Sequence, residues 1–234
     1  MLTMHNVTIG FNKTILLKDT SLVFDRGAIY ALVAPNGYGK TTLLRALSGD
    51  CHVVLEGLIS AGGTSLHYER DYLGRVYYTA GSEDELYANE TGAYHVRLAA
   101  ELWHSRISPA SVIERLGIEK FAGKRVKKMS SGMRQLLCIG MAIASGAEYL
   151  LLDEPMNWLD PTRRAAVSAL LRNEAQSGKG IILSSHILQD LETVCDKSIL
   201  IDARSKRVRV SDPIDEEIFS SFYMPWGHDC PKNP

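Results

Sequence analysis

One short stretch limits what this chain can fold into: Ala34-Pro35-Asn36-Gly37-Tyr38-Gly39-Lys40-Thr41. It follows Ala28 to Val33, a mostly apolar run of the kind that forms a strand buried on both faces. It leads into Lys40 to Leu47, which reads as a helix, with Gly49 placed as its C-cap glycine. A strand that enters a glycine-rich turn and leaves as a helix has the layout of a phosphate-binding loop. Backbone N–H groups in such a turn converge on an anion, and the dipole of the following helix favours the same charge. Lys40 is then placed to reach the β- and γ-phosphates of a nucleotide, and the Thr41 hydroxyl to ligate Mg²⁺. Asn36, Gly37, Gly39 and Thr42 complete the expected nucleotide-binding set. The strict pattern begins with glycine, where this chain has Ala34. Tyr38 is bulky and is expected to point away from the phosphates. Taken alone, the segment also fits an ordinary glycine-rich turn followed by a chance Lys-Thr.

The rest of the chain supplies the surroundings such a loop needs. Leu2 to Ile9 and Leu16 to Phe24 read as antiparallel strands joined by a turn at Asn12-Lys13. Val53 to Tyr78, with Gly57, Gly62 and Gly63, reads only as short strands and turns. From Glu83 to Ala147 the pattern is helical. Thr91 caps a helix through Ala99 to Trp103, Ser108-Pro109 opens another, and Ser130 to Ala144 forms a third. Alternation then returns: a strand from Glu148 to Asp153, a helix opened by Asp160-Pro161 and stopped near Gly178, and a strand from Gly180 to Ser184. A helix from Ile187 to Val194 and a strand from Ser198 to Ile201 follow. Strand–helix alternation on both sides of a helical block predicts an α/β fold with a mixed, largely parallel sheet and a helical insertion. The expected division is a core of 1–81 and 147–212, an insertion of 82–146, and a tail of 213–234. Tyr223-Met224-Pro225-Trp226 in that tail has no assignment from sequence.

Tyr149 to Leu152 ends in Asp153-Glu154, so two carboxylates arrive at the C-terminal edge of a buried strand, where open α/β sheets bind ligands. Asp153 suits the surroundings of Mg²⁺, and Glu154 suits general-base activation of water. In isolation the two acids also fit a cap for the next helix.

Composition narrows the partners. With 45% hydrophobic residues, 23% charged and a formal net charge of −1, the chain can bury a core but projects no basic field toward nucleic acid. Cys51, Cys138, Cys195 and Cys230 are scattered without a C-x-x-C pair, as in a reduced cytosolic protein. His228 and Cys230 are two ligands in a proline-containing tail, a poor zinc site. The longest apolar stretch, near Leu136 to Ala147, falls short of the roughly 20 residues of a membrane helix. Any membrane role therefore runs through a partner.

In order along the chain, these segments resemble the ATP-binding cassette family over nearly all of residues 1 to 212. Met129-Ser130-Ser131-Gly132-Met133, followed by Arg134-Gln135, is similar to the family's LSGGQ segment, and Asn157-Trp158-Leu159-Asp160 to its D-loop. His186 matches the switch histidine, and Phe11 stands where the family stacks an aromatic ring on adenine. The resemblance implies a Mg²⁺-dependent ATPase with Lys40, Glu154 and His186 in the reaction. It implies a head-to-tail pair of cassettes, alike or different, with Ser130 and Gly132 facing ATP bound to the other copy. It also implies a transmembrane permease as partner and a place on the cytoplasmic face of the membrane. A soluble cassette ATPase of an assembly system, such as iron–sulfur cluster biogenesis, is the alternative. The chain departs from the family at Ser131 and Met133 and lacks the Q-loop glutamine, where Ser82 or Glu83 stands instead. Met133 and the altered Q-loop are similar to the exporter branch. In the Ser82 to Trp103 region, Tyr87, Tyr94 and Trp103 are the expected anchors for the permease, and each fits equally well a place packed inside the insertion.

Overall fold

The computed structural model describes residues 1–11, 14–50, 52–66, 69–185, 191, 194–202, 204–211 and 223. β1 (Leu2–Phe11) and β2 (Thr14–Phe24) pair antiparallel, and β4 (Val54–Ala61) pairs with the other edge of β1, followed by β5 (Thr64–Ser65). The result is a four-stranded antiparallel sheet in the order β2-β1-β4-β5. The expected turn at Asn12-Lys13 lies outside the described residues.

β3 (Ile29–Val33) is buried at all five positions because both its faces are covered. Ile29, Ala31 and Val33 face one core with the helical block, while Tyr30 and Leu32 face a second core with the antiparallel sheet. β3 stands between β8 (Gly180–Ser185) and β9 (Lys197–Asp202), parallel to both. β7 (Tyr149–Leu152) and β6 (Val76–Thr79) continue the parallel sheet, and β10 (Arg207–Ser211) closes its other edge antiparallel. The order is β10-β9-β3-β8-β7-β6. The α/β class and the mixed sheet are as the sequence predicts.

α1 (Lys40–Ser48) starts at Lys40 and ends on Gly49, whose φ of 100° is left-handed, as a C-cap glycine requires. α2 (Glu69–Leu73) precedes β6. Between β6 and β7 the chain runs through α3 (Gly92–Leu102), α4 (Pro109–Arg115), α5 (Glu119–Ala122) and α6 (Ser131–Ala144). Thr91 caps α3 by accepting the Tyr94 N–H, and Ser130 caps α6 by accepting the Met133 N–H. α7 (Pro161–Gln176) opens on Asp160, which accepts the Arg163 N–H, and stops before the left-handed Gly178. Most of the expected helix from Ile187 to Val194 lies outside the described residues.

Candidate functional site

The loop after β3, the start of α1 and the loop after β7 meet at the C-terminal edge of the parallel sheet. They enclose a cavity of about 420 Å³ lined by Leu16, Asn36, Gly37, Gly39, Lys40, Thr41, Thr42, Ala80, Asp153, Glu154 and Asn157. Gly37 and Gly39 have φ of 84° and 93°, so the turn is built from left-handed positions that glycine adopts without steric cost. Tyr38 is outside the lining. Its side chain packs toward the core under the antiparallel sheet.

Lys40 is buried, and its ammonium donates to the Ala34 carbonyl at 2.7 Å. The Pro35 carbonyl and Asn36 Oδ1 lie at 3.5 Å, and the Glu154 carboxylate at 3.6 Å. A lysine charge is thus held inside a cavity wide enough for a polyphosphate. The Thr41 hydroxyl donates to Asp153 Oδ2 at 2.6 Å. Its proton is committed to the carboxylate, so its lone pairs remain for a cation. Hydroxyl and carboxylate oxygens are the hard donors Mg²⁺ takes, so Thr41 and Asp153 fit that ion.

Asp153 and Glu154 share a further partner. Ser184, fully buried in β8, donates its hydroxyl to Asp153 Oδ1 and accepts the Glu154 backbone N–H at 2.8 Å. Glu154 itself has φ of 50°, a left-handed conformation costly for a residue with a side chain. Sequence reasoning did not single out Ser184, nor Leu16, Ala80 or Asn157 as lining. The available signal was two adjacent serines, Ser184-Ser185, closing an otherwise apolar strand at its ligand-binding end.

The loop after β6 is organised around Glu85. Its carboxylate accepts from Thr79 Oγ1 at 2.5 Å, the Ala80 N–H at 2.7 Å and Ser82 Oγ at 3.4 Å. Glu83 forms an ion pair with Arg134 at the start of α6. Ala80 lines the cavity, and Ser82 and Glu83 do not.

The remaining expected residues separate into groups. Phe11, at the end of β1, is 52% exposed and outside the cavity lining. Ser130 and Gly132, at the start of α6, are also outside it. A β-carbon on Gly132 would come within 2.7 Å of the Trp158 carbonyl, so glycine lets the two segments touch. Trp158 is 75% exposed and left-handed at φ 65°. His186, His228 and Cys230 lie outside the described residues. Of the expected anchors, Tyr87 is exposed, whereas Trp103 packs its ring on Tyr77 with centroids 4.7 Å apart. Among the described residues no helix is long and apolar enough to cross a membrane.

A glycine-rich strand–helix loop with a buried lysine, facing an acid pair across one intervening strand, defines a phosphate-loop nucleotide-binding protein. The ABC transporter family profile matches residues 17–157. The uncharacterized ABC transporter ATP-binding protein YybJ of Bacillus subtilis is 33% identical over 92% of this chain and 97% of its own length. The lantibiotic transport ATP-binding protein SrtF of Streptococcus pyogenes is 29% identical over 84% of each chain. A solved structure of the ATP-binding subunit of an ABC transporter superposes with a TM-score of 0.80 at 27% identity, covering 91% of this chain and 90% of its own. The chain belongs to the ABC transporter family, as an ATP-binding subunit. That favours transport over the soluble assembly system.

Proposed function

We propose that this chain hydrolyses ATP with Mg²⁺ and drives export through a separate transmembrane permease. One observation carries the chemistry: the Thr41–Asp153 hydrogen bond and the Lys40–Glu154 ion pair meet in a single cavity at the sheet edge. Lys40 exchanges the Ala34 carbonyl and Glu154 for the β- and γ-phosphate oxygens, with the Gly37 to Thr41 amides converging on the same anion. Released from Lys40, the Glu154 carboxylate accepts a proton from water as that oxygen attacks the γ-phosphorus and the bond to the β–γ bridging oxygen breaks. Mg²⁺, held through Thr41 and Asp153, supplies charge neutralisation on the phosphates when bound.

Ser130 and Gly132 lie outside the cavity of their own chain, which supports their facing ATP on a second cassette in a head-to-tail dimer. The α6 N-terminus carries both, and its dipole suits the γ-phosphate. In this reading the core of 1–81 and 147–212 holds the nucleotide, the insertion of 82–146 presents Ser130 and Gly132, and Phe11 stacks on adenine. His186 assists hydrolysis. The permease docks on the Ser82 to Trp103 region through exposed Tyr87 and holds the pair at the cytoplasmic face of the membrane. The name of the Nod factor export ATP-binding protein I of Burkholderia lata, 29% identical over 86% of this chain, supports export.

Glu154→Gln tests the reading. It keeps the side chain's shape and removes the base, so ATP still binds while turnover falls on the order of 10²–10⁴-fold. An ATP-bound dimer then accumulates on size-exclusion chromatography. Turnover near the parent's removes Glu154 from the reaction.

A further inference from the structure

Tyr38 in the phosphate loop and Tyr223 in the tail have no part in the proposed reaction, and the structure brings them together. Their rings meet edge to face, with centroids 5.9 Å apart and planes at 84°. The Tyr223 hydroxyl donates to the Val33 carbonyl at 2.6 Å and accepts the Ile201 N–H at 2.9 Å, with the Ile201 carbonyl at 3.1 Å. Val33 is the last residue of β3, directly ahead of the phosphate loop. The β3–β9 ladder ends with Val33 opposite Leu200, so the hydroxyl bridges the two strands where their own pairing stops. Burial raises the Tyr223 phenol above the usual tyrosine range, which keeps it a neutral donor.

We propose that Tyr223 is a positioning residue for the phosphate loop, holding the end of β3 through its hydroxyl and Tyr38 through its ring. The loop needs such support. A β-carbon on Gly37 would meet nothing within 4 Å, and a left-handed glycine turn with open space around it has much conformational freedom to lose when phosphate binds. Fixing Tyr38 in advance reduces that loss, and the gain falls on nucleotide affinity. It also accounts for a bulky aromatic residue among glycines: Tyr38 is the loop's handle, turned away from the phosphates.

The inference rests on ATP binding at this loop, so the test begins with the parent full-length chain and a mant-labelled ATP titration. Edge-to-face pairs of this kind correspond to about 3- to 10-fold in an equilibrium constant. Tyr223→Ala and Tyr38→Ala should each raise the dissociation constant, and the KM for ATP, by that factor with kcat within about twofold. The double variant should be no weaker than Tyr223→Ala alone, because that variant has already removed the ring contact. Tyr223→Phe keeps the ring and loses the hydroxyl, so it should fall between Tyr223→Ala and the parent. Should Tyr223→Ala fail to fold, Tyr223→Leu, which also removes the ring but keeps more of its volume, and its double variant with Tyr38→Ala carry the same comparison. Parental affinity in folded Tyr223 variants, or additive effects in the double, overturns the proposal. Failure of the parent to bind mant-ATP would instead overturn the assignment of the loop.

Discussion

Ser184→Ala isolates the link between the two acids. The serine hydroxyl is the acceptor for the Glu154 N–H and a donor to Asp153, and it is buried. Alanine leaves that partly buried amide without its acceptor, at a cost of about 1–3 kcal/mol. For a chain of this length each kcal/mol moves the melting temperature roughly 2–4 °C, so Tm should fall about 2–12 °C. The same bond helps hold Glu154 in a left-handed conformation that costs on the order of 1–3 kcal/mol and persists only where its surroundings impose it. Asp153 meanwhile keeps its contact to Thr41 and loses the one to Ser184. A carboxylate displaced by about 1 Å can cost on the order of 100-fold in rate, so kcat should drop at least about tenfold. ATP affinity should change little, because Lys40 and the glycine turn are untouched. Thermal unfolding and steady-state ATPase measurements read both effects. A variant with parental Tm and parental kcat would refute the reasoning. A lowered Tm with parental kcat would leave Ser184 only a structural part.

Phe11→Ala should weaken ATP binding by about 1–3 kcal/mol, by analogy with base–aromatic stacking. Because Phe11 is half exposed, Tm should stay nearly constant, and unchanged affinity in the folded variant would count against stacking. Gly132→Ala drives a β-carbon against the Trp158 carbonyl, a backbone atom that cannot swing aside, and should destabilise by about 1–3 kcal/mol; a parental denaturation midpoint would contradict this. Burial lowers the Lys179 ammonium below its usual 10.5, Arg26 and Arg115 adding to the effect and Glu174 opposing it. The unfolded chain therefore holds that proton more tightly, and between the lowered value and about 10.5 the stability of the parent relative to Lys179→Met rises with pH. Urea titrations across that range would disprove this if the difference stayed flat.

How much could be read in advance follows from where each signal resides. The phosphate loop is local: its glycines stand where φ is positive and its lysine opens a helix, so the sequence displays it directly. Asp153-Glu154 is legible for a similar reason, as acids ending an apolar strand. β4 was not, because four of its residues from Leu55 to Leu58 are exposed and Gly57 is left-handed, which erases alternation. β10 has no buried residue and leaves no hydrophobic pattern. Ser184 looks like any small residue in a strand until β7 and β8 pair with Leu152 opposite Leu183, which brings the next residues, Asp153 and Ser184, together. Trp103 reads equally as an exposed anchor or a packed aromatic, and only the fold sets it at the end of α3 with its indole N–H on the Val76 carbonyl and its ring on Tyr77.

The strand order explains why the site takes the form it does. Neighbouring strands stand roughly 4.8 Å apart, so the ends of β3 and β7, with β8 between them, are separated by about 10 Å. That gap is too wide for backbone contact and wide enough for a phosphate chain. It is crossed by the Thr41–Asp153 hydrogen bond and the Lys40–Glu154 ion pair, while β8 contributes Ser184 beneath them. The two crossings are not equivalent when nucleotide enters. The Thr41–Asp153 bond uses a hydroxyl proton and leaves oxygen lone pairs open, so it can persist with a cation bound. In the proposed reaction the Lys40–Glu154 pair occupies both the charge that takes phosphate and the carboxylate that takes a proton from water, so the two part as nucleotide enters. On the proposed reaction, ATP binding and arming of the base are then one exchange at Lys40.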